Sequence, residues 1–94
     1  MLARVKLALR ITTNAFDDEI TGLIKAALAD MGIVGIDPTT LTVGTTDELI
    51  ITAVITYVKL HFGEPSDPDR LKKSYDEQKA QLITASGYGL LEGV

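Results

Sequence analysis

The 94-residue chain carries nine Lys and Arg against 13 Asp and Glu, a net charge of −4, and contains no cysteine. Without cysteine it has no disulfide framework, no thiolate metal ligand and no cysteine nucleophile. Residues 1–50 hold four basic and seven acidic groups, and residues 51–94 hold five and six. Neither half is therefore a basic arm of the kind that binds duplex DNA. The length and the hydrophobic content of 46% predict one small domain with a packed core over residues 1–94.

The first two predicted elements are helices over residues 2–10 and 14–31. Residues 1–11 show both strand-like alternation and helical spacing, and we interpret them as a short helix. The second helix is predicted from apolar residues at three- and four-residue steps, which are Phe16, Ile20, Leu23, Ile24, Ala27 and Met31. We expect Thr13 or Asn14 to cap it and Gly32 to end it. We interpret the acidic triplet at 17–19 as stabilising the positive end of the helix dipole, in preference to a metal or acid–base site.

A long loop is predicted over residues 32–46, which are rich in Gly, Thr and Pro. Asp37-Pro38 indicates a turn, and an extended pairing is expected around Leu41 and Val43. This loop separates the second helix from the most apolar segment of the chain.

Residues 47–62 are predicted to form a central apolar helix surrounded by the others. The β-branched residues would suit a strand, but about sixteen residues pass without a breaker, and Thr45 with Glu48 fits a capping box. Thr52, Thr56 and Lys59 form one narrow polar stripe on this helix. The apolar run is shorter than the roughly twenty residues of a membrane span, so no membrane partner is expected.

The last predicted helix covers residues 68–85, and a flexible tail is expected over 86–94. Asp67 as N-cap and Pro68 as first helical residue open the helix, and Gly87 and Gly89 follow it. Its thin apolar seam consists of Leu71, Tyr75, Gln78 and Leu82. Ion pairs are predicted four residues apart for Lys72 with Asp76 and for Lys73 with Glu77. The predicted fold is thus an all-α bundle of three to four helices.

No pattern of catalytic or metal-binding residues emerges. The single histidine, His61, is expected to be partly buried near Val54 and Tyr57, without a Cys, a second His or a carboxylate partner. No phosphate-binding loop or nucleophile elbow is present. We therefore expect no enzymatic activity, no cofactor and no metal.

The order and spacing of the helical segments resemble a known family. The segment "HFGEPSDPDRLKKSYDEQKAQL" at 61–82, followed by Tyr88, is similar to the head–tail connector (adaptor) proteins of tailed bacteriophages, often labelled putative DNA-packaging proteins. The segments "LRITTNAFDDEITGLIKAALADMGI" at 9–33 and "DELIITAVITYVKLHFG" at 47–63 resemble the first long helix and the central helix of that family.

The resemblance implies a structural role in the virion, at the head–tail junction, with assembly in the host cytoplasm. In that family, the subunits form a homo-oligomeric ring, commonly of twelve, which docks under the portal protein and receives the next neck or tail-completion protein. The resemblance implies the same partners for this chain. DNA would pass through without specific recognition. We expect the subunit or portal interface to involve Arg70, Lys73, Tyr75, Gln78, Leu82, Tyr88, Leu90 and Leu91. The alternative is a small helical DNA-packaging accessory or nucleic-acid-binding protein.

Overall fold

The described part of the protein is an all-α bundle of four helices. A computed structural model describes residues 1–33, 41–45 and 47–84, and the helices are α1 (Leu2–Leu9), α2 (Asp17–Ile33), α3 (Glu48–His61) and α4 (Pro68–Thr84). No strand occurs in these three stretches. The all-α prediction is confirmed, and the ambiguous first segment is helical.

Helix α1 ends where Arg10 adopts the left-handed conformation, with φ 59° and ψ 40°. This conformation lets the Arg10 amide donate to the Leu7 carbonyl oxygen at 3.1 Å, and the Ile11 amide then donates to Lys6 at 3.0 Å. These bonds satisfy carbonyls that the end of a helix would otherwise leave open. The chain can therefore turn directly from α1 towards α2.

Helix α2 begins and ends later than the sequence indicates. The Thr13 hydroxyl oxygen accepts from the Ala15 amide in a turn before the helix, and Phe16 supplies the carbonyl that accepts from Ile20 at 2.9 Å. The prediction that Thr13 or Asn14 caps the helix is therefore wrong. Gly32 does not end it either, because the helix continues to Ile33.

The first acidic residue of α2 has a partner as well as a favourable place in the helix dipole. Asp17 lies 2.7 Å from the Lys6 ammonium group, which also donates to the Asn14 side chain at 3.0 Å. This ion pair joins α1 to the start of α2. The acidic triplet of residues 17–19 occupies the first turn, as predicted.

Helix α3 is capped by Asp47 and not by Thr45. The Asp47 carboxylate accepts from the amides of Leu49 at 3.0 Å and Ile50 at 3.4 Å. Thr45 accepts instead from the Asp47 amide, and the Glu48 carboxylate forms a two-bond ion pair with Arg4 of α1 at 2.9 Å. The predicted capping box is wrong because both of its side chains bond elsewhere.

The core lies around α3, which packs against each of the other three helices. Six of its fourteen residues are buried, including Thr56, whose hydroxyl donates to the Thr52 carbonyl oxygen at 3.1 Å. The predicted polar stripe is therefore only partly open to solvent, since Thr52 and Lys59 are exposed. The buried apolar residues of the whole bundle are Val5, Ile20, Ile24, Ala27, Leu28, Met31, Ile50, Ile51, Ala53, Val54, Val58, Tyr75 and Leu82.

Two connections place the ends of α3. Before it, residues 41–45 form a turn in which the Thr45 amide donates to the Thr42 carbonyl oxygen at 3.0 Å, and the extended pairing expected there is absent from this described stretch. After it, Gly63 has φ 68°, which favours glycine. Asp37-Pro38 and the rest of 34–40 lie outside the described residues.

Helix α4 begins as predicted. Pro68 is its first residue, and the Asp67 side chain accepts from the Arg70 amide at 3.3 Å. Pro lacks the amide hydrogen that a first helical residue would leave unsatisfied. The helix is described to Thr84, and the expected end near Gly87 and Gly89 lies outside the described residues.

Candidate assembly surface

A polar cluster holds α4 against α2. The Tyr75 hydroxyl of α4 donates to the Asp30 carboxylate of α2 at 2.7 Å, and the Lys79 ammonium donates to the same oxygen at 3.0 Å. Lys79 also lies 4.6 Å from the centre of the Tyr75 ring, within cation–π range. The three side chains therefore act as one connection between helices that are far apart in sequence.

Electrostatics favour the ionised form of Asp30. Burial raises the pKa of the Asp30 carboxyl, but the hydrogen bonds from Tyr75 and Lys79 together outweigh it, so the pKa lies below its ordinary value. Burial, followed by the bond to Asp30, raises the pKa of the Tyr75 hydroxyl. Tyr75 thus stays protonated and able to donate throughout the physiological range.

An aromatic group extends this connection to α3. The Tyr57 ring meets Tyr75 edge-on at 5.2 Å and lies 4.2 Å from the His61 imidazole. The predicted proximity of His61 to Tyr57 is confirmed. His61 is nevertheless exposed, so the expectation of partial burial is wrong. The end of α3 lies one turn beyond Tyr57, and this position leaves the imidazole open to water.

The fold exposes some of the residues predicted for the interface and buries others. Arg70 and Lys73 are exposed, whereas Tyr75 and Leu82 are 4% and 2% exposed and belong to the subunit's own core. Those two side chains cannot meet a partner while the bundle keeps this packing. Tyr88, Leu90 and Leu91 lie outside the described residues.

The outer face of α4 carries mixed charge. Lys72 pairs with Asp76 at 2.9 Å, as predicted. The second predicted pair, Lys73 with Glu77, is absent from the described structure, where both side chains point to solvent. Solvent screens exposed pairs of this kind, so this face contributes little to folding.

A groove between α3 and α4 is made of two cavities. One cavity of about 320 Å³ lies at the start of α4, and it is lined by Thr56, Lys59, Ser66, Asp67, Arg70, Leu71, Ser74 and Gln78. A smaller and more enclosed one of about 230 Å³ lies near the end of α4, lined by Leu49, Thr52, Gln78, Gln81 and Leu82. Gln78 contributes to both, so the two cavities adjoin.

Several large apolar side chains remain exposed, and sequence periodicity did not single them out as surface residues. Leu7 on α1 is 75% exposed, Ile33 at the end of α2 is 83% exposed, and Leu49 on α3 is 53% exposed. Leu7 departs from the helical spacing of Leu2, Val5 and Leu9. This departure was the signal in the sequence that Leu7 would be exposed. Exposed apolar side chains of this size are candidates for contact with another chain.

The described residues contain no group of three or more His, Asp or Glu side chains placed to hold a metal ion. Within the same ranges, no helix combines the length and the apolar character that crossing a bilayer requires. The features of the described residues that could take part in function are thus the exposed face of α4, the α3–α4 groove and the polar cluster around Asp30.

The comparison with protein families identifies the family of the chain. The family model described as "Phage connector protein" matches residues 1–89, which include all four helices. The chain belongs to the phage connector family. No curated protein and no solved structure shows a significant match to it. The resemblance found in the sequence is confirmed at the level of the family.

Proposed function

We propose that this phage connector protein is a structural head–tail connector (adaptor) subunit, which forms a ring under the portal vertex and extends the DNA channel towards the tail. The observation that carries the proposal is the family match over residues 1–89. Phage connector proteins are structural virion components, so this membership also supports a role in assembly and not in catalysis.

The surface of the subunit supports association with other chains. Leu7 and Leu49 lie on different helices, and each exposes more than half of its side chain. A closed ring uses two different patches of one subunit, because each copy contacts its neighbours head to tail. Leu7 and Leu49 are candidates for such patches, and burying them in a ring would add to the stability of a small subunit.

Charge supports the passage of DNA through such a ring. The net charge of −4 leaves the chain without the excess of Lys and Arg that holds DNA through release of counterions. The alternative of a DNA-binding packaging accessory requires such an excess on one face. The exposed face of α4 instead places Arg70, Lys72 and Lys73 among Asp69, Asp76 and Glu77.

The partners proposed here are further copies of the chain, the portal protein and the next neck or tail-completion protein. Arg70 and Lys73 offer exposed charges on α4 for these contacts, and Gln78 offers a half-buried amide. We assign the strongest contact to the segment after α4, with Tyr88 as an aromatic anchor aided by Leu90 and Leu91. Aromatic side chains of this kind dominate binding when a partner buries them.

The test is assembly with purified portal rings, followed by native mass spectrometry and electron microscopy. The parent should form a ring on the portal, and deletion of residues 87–94 should abolish docking while circular dichroism shows unchanged helix content. Arg70→Glu with Lys73→Glu should weaken assembly more than Lys25→Glu, which reverses one exposed charge on α2. A protein that never binds portal rings would refute the connector role.

DNA binding is tested separately by gel shift with duplex DNA at low salt. The proposal expects no shift at micromolar protein. Tight binding that weakens steeply with added salt would support the packaging-accessory alternative, because that salt dependence reports phosphate contacts.

A further inference from the structure

The more enclosed part of the α3–α4 groove is lined by side chains of both helices. Its volume is about 230 Å³, and its walls include Leu49 of α3 and Leu82 of α4. Leu49 stands between Glu48 and the fully buried Ile50 and is 53% exposed, so it presents an apolar surface to whatever enters. The groove is thus shaped to take an apolar side chain.

Gln78 adds a polar requirement to the same place. Its side-chain oxygen Oε1 is shielded from solvent and has no hydrogen-bond partner among the described residues. A shielded acceptor without a donor is unfavourable, and a backbone or side-chain N–H that enters the groove would satisfy it. The occupant is therefore expected to bring an apolar side chain and a hydrogen-bond donor together, as an extended peptide does.

The position of the groove identifies a candidate peptide within the same chain. Gln81 and Leu82 belong to the last described turn of α4, which ends at Thr84. Three helical residues advance only about 4.5 Å, so Thr84, the last described residue, lies close to the groove. The sequence continues with "ASGYGLLEGV", ten residues that could reach about 33–36 Å when extended. These residues supply Tyr88, Leu90 and Leu91.

We propose that in the free subunit residues 85–94 occupy their own α3–α4 groove, with Tyr88 or the Leu90-Leu91 pair against Leu49. Attachment to α4 raises the effective concentration of the segment at the groove to the millimolar range. A docking step with a dissociation constant of about 0.1 mM then holds about nine molecules in ten in the docked form.

This inference goes beyond the proposed connector role, because it concerns the subunit before assembly. The segment proposed to bind the portal is sheltered in the groove until a partner competes for it. Sheltering Tyr88, Leu90 and Leu91 would also limit premature association of free subunits, since exposed apolar segments favour aggregation.

A tryptophan reporter tests the docking, because the chain contains no tryptophan. The Tyr88→Trp protein, studied as a dilute monomer without portal, should show blue-shifted emission and weak quenching by acrylamide. Leu49→Asp in this background should shift the emission to the red and raise the quenching constant severalfold. Gln81→Glu, at an exposed position that lines the groove, provides a second disruption with little risk to the core.

Leu7→Asp is the matched control, since it makes the same substitution at an exposed leucine on α1. It should leave emission and quenching unchanged, and circular dichroism should show equal helix content in all variants. Fully exposed tryptophan in the parent, or equal effects of Leu7→Asp and Leu49→Asp, would overturn the proposal. A blue shift that grows with protein concentration would overturn it too, because the segment would then enter a neighbour's groove.

The outcomes separate this inference from the connector role. An exposed reporter in a protein that still forms rings on the portal overturns only the docking in the free subunit. A docked reporter in a protein that never binds portal supports the docking and refutes only the connector role.

Discussion

Replacing Tyr75 with phenylalanine removes one hydroxyl from the connection between α4 and α2. That hydroxyl donates to the ionised Asp30 carboxylate at 2.7 Å, while the ring packs in the core at 4% exposure. Phenylalanine keeps the ring contacts with Tyr57, so the substitution isolates the hydrogen bond. Asp30 retains its second donor, Lys79.

The expected loss follows from the charge and exposure of the acceptor. Hydrogen bonds to charged groups contribute about 1.5–3 kcal/mol. The Asp30 side chain is 36% exposed, so water replaces part of the lost interaction. We therefore expect Tyr75→Phe to lower the free energy of unfolding by about 1.5–2 kcal/mol at pH 7.

The pH dependence gives a sharper test. Because folding lowers the pKa of Asp30, its ionised form contributes stability that is fully present above the unfolded value of about 3.9 and is lost as pH falls through the folded pKa. The difference between Tyr75→Phe and the parent should therefore shrink towards the roughly 1 kcal/mol of a neutral hydrogen bond in acid.

Urea unfolding followed by circular dichroism measures both effects, at pH 7 and at the lowest pH where the parent stays folded. Tyr57→Phe is the matched control, since the Tyr57 hydroxyl makes no hydrogen bond within the described residues, and it should change stability by less than about 0.5 kcal/mol. Equal stability of Tyr75→Phe and the parent at pH 7, or a difference that does not change with pH, would refute the reasoning.

Two further predictions concern α3. Val54→Asp places a charge at a fully buried position and should lower the free energy of unfolding by about 3–5 kcal/mol. Thr52→Asp, at an exposed position of the same helix, should lower it by less than about 1 kcal/mol. Similar urea midpoints for the two variants would contradict the packing around α3. His61→Ala should leave ring assembly on the portal intact and change stability by less than about 1 kcal/mol, because the imidazole is exposed and, among the described aromatic side chains, contacts the Tyr57 ring. Loss of assembly with an unchanged fold would show that His61 belongs to an interface.

Local signals in the sequence were sufficient to predict which segments of the described residues are helical. Asp67-Pro68 starts α4 as predicted, because a cap and a first-turn proline act within four residues of each other. The start of α3 was harder to place. Thr45 and Asp47 are both residue types that cap helices, and Asp47 is the cap in the structure. Glu48, the second residue of the predicted capping box, pairs instead with Arg4, 44 residues away.

The candidate surface depended more strongly on tertiary structure. Helical spacing correctly grouped Tyr75 and Leu82 on one seam of α4, but spacing cannot tell a seam that faces the same subunit from one that faces a neighbour. The cluster of Asp30, Tyr75 and Lys79 joins residues 45 and 49 positions apart. A single acid beside the apolar face of α2, next to Met31, was the only sign of it in the sequence.

The way α4 is held has a consequence for assembly. Only Tyr75 and Leu82 of its seventeen residues are buried, against six of fourteen in α3, so hydrophobic burial fixes α4 less firmly than its neighbour. The Asp30 cluster then fixes the orientation of the helix near its middle, while Arg70 and Lys73 face outward on the first turns. A partner that contacts the outer face or the groove of α4 would bury surface on a helix that has only two buried side chains of its own. For that reason Tyr75→Phe should weaken ring formation on the portal along with folding, although Tyr75 is buried in the subunit's own core.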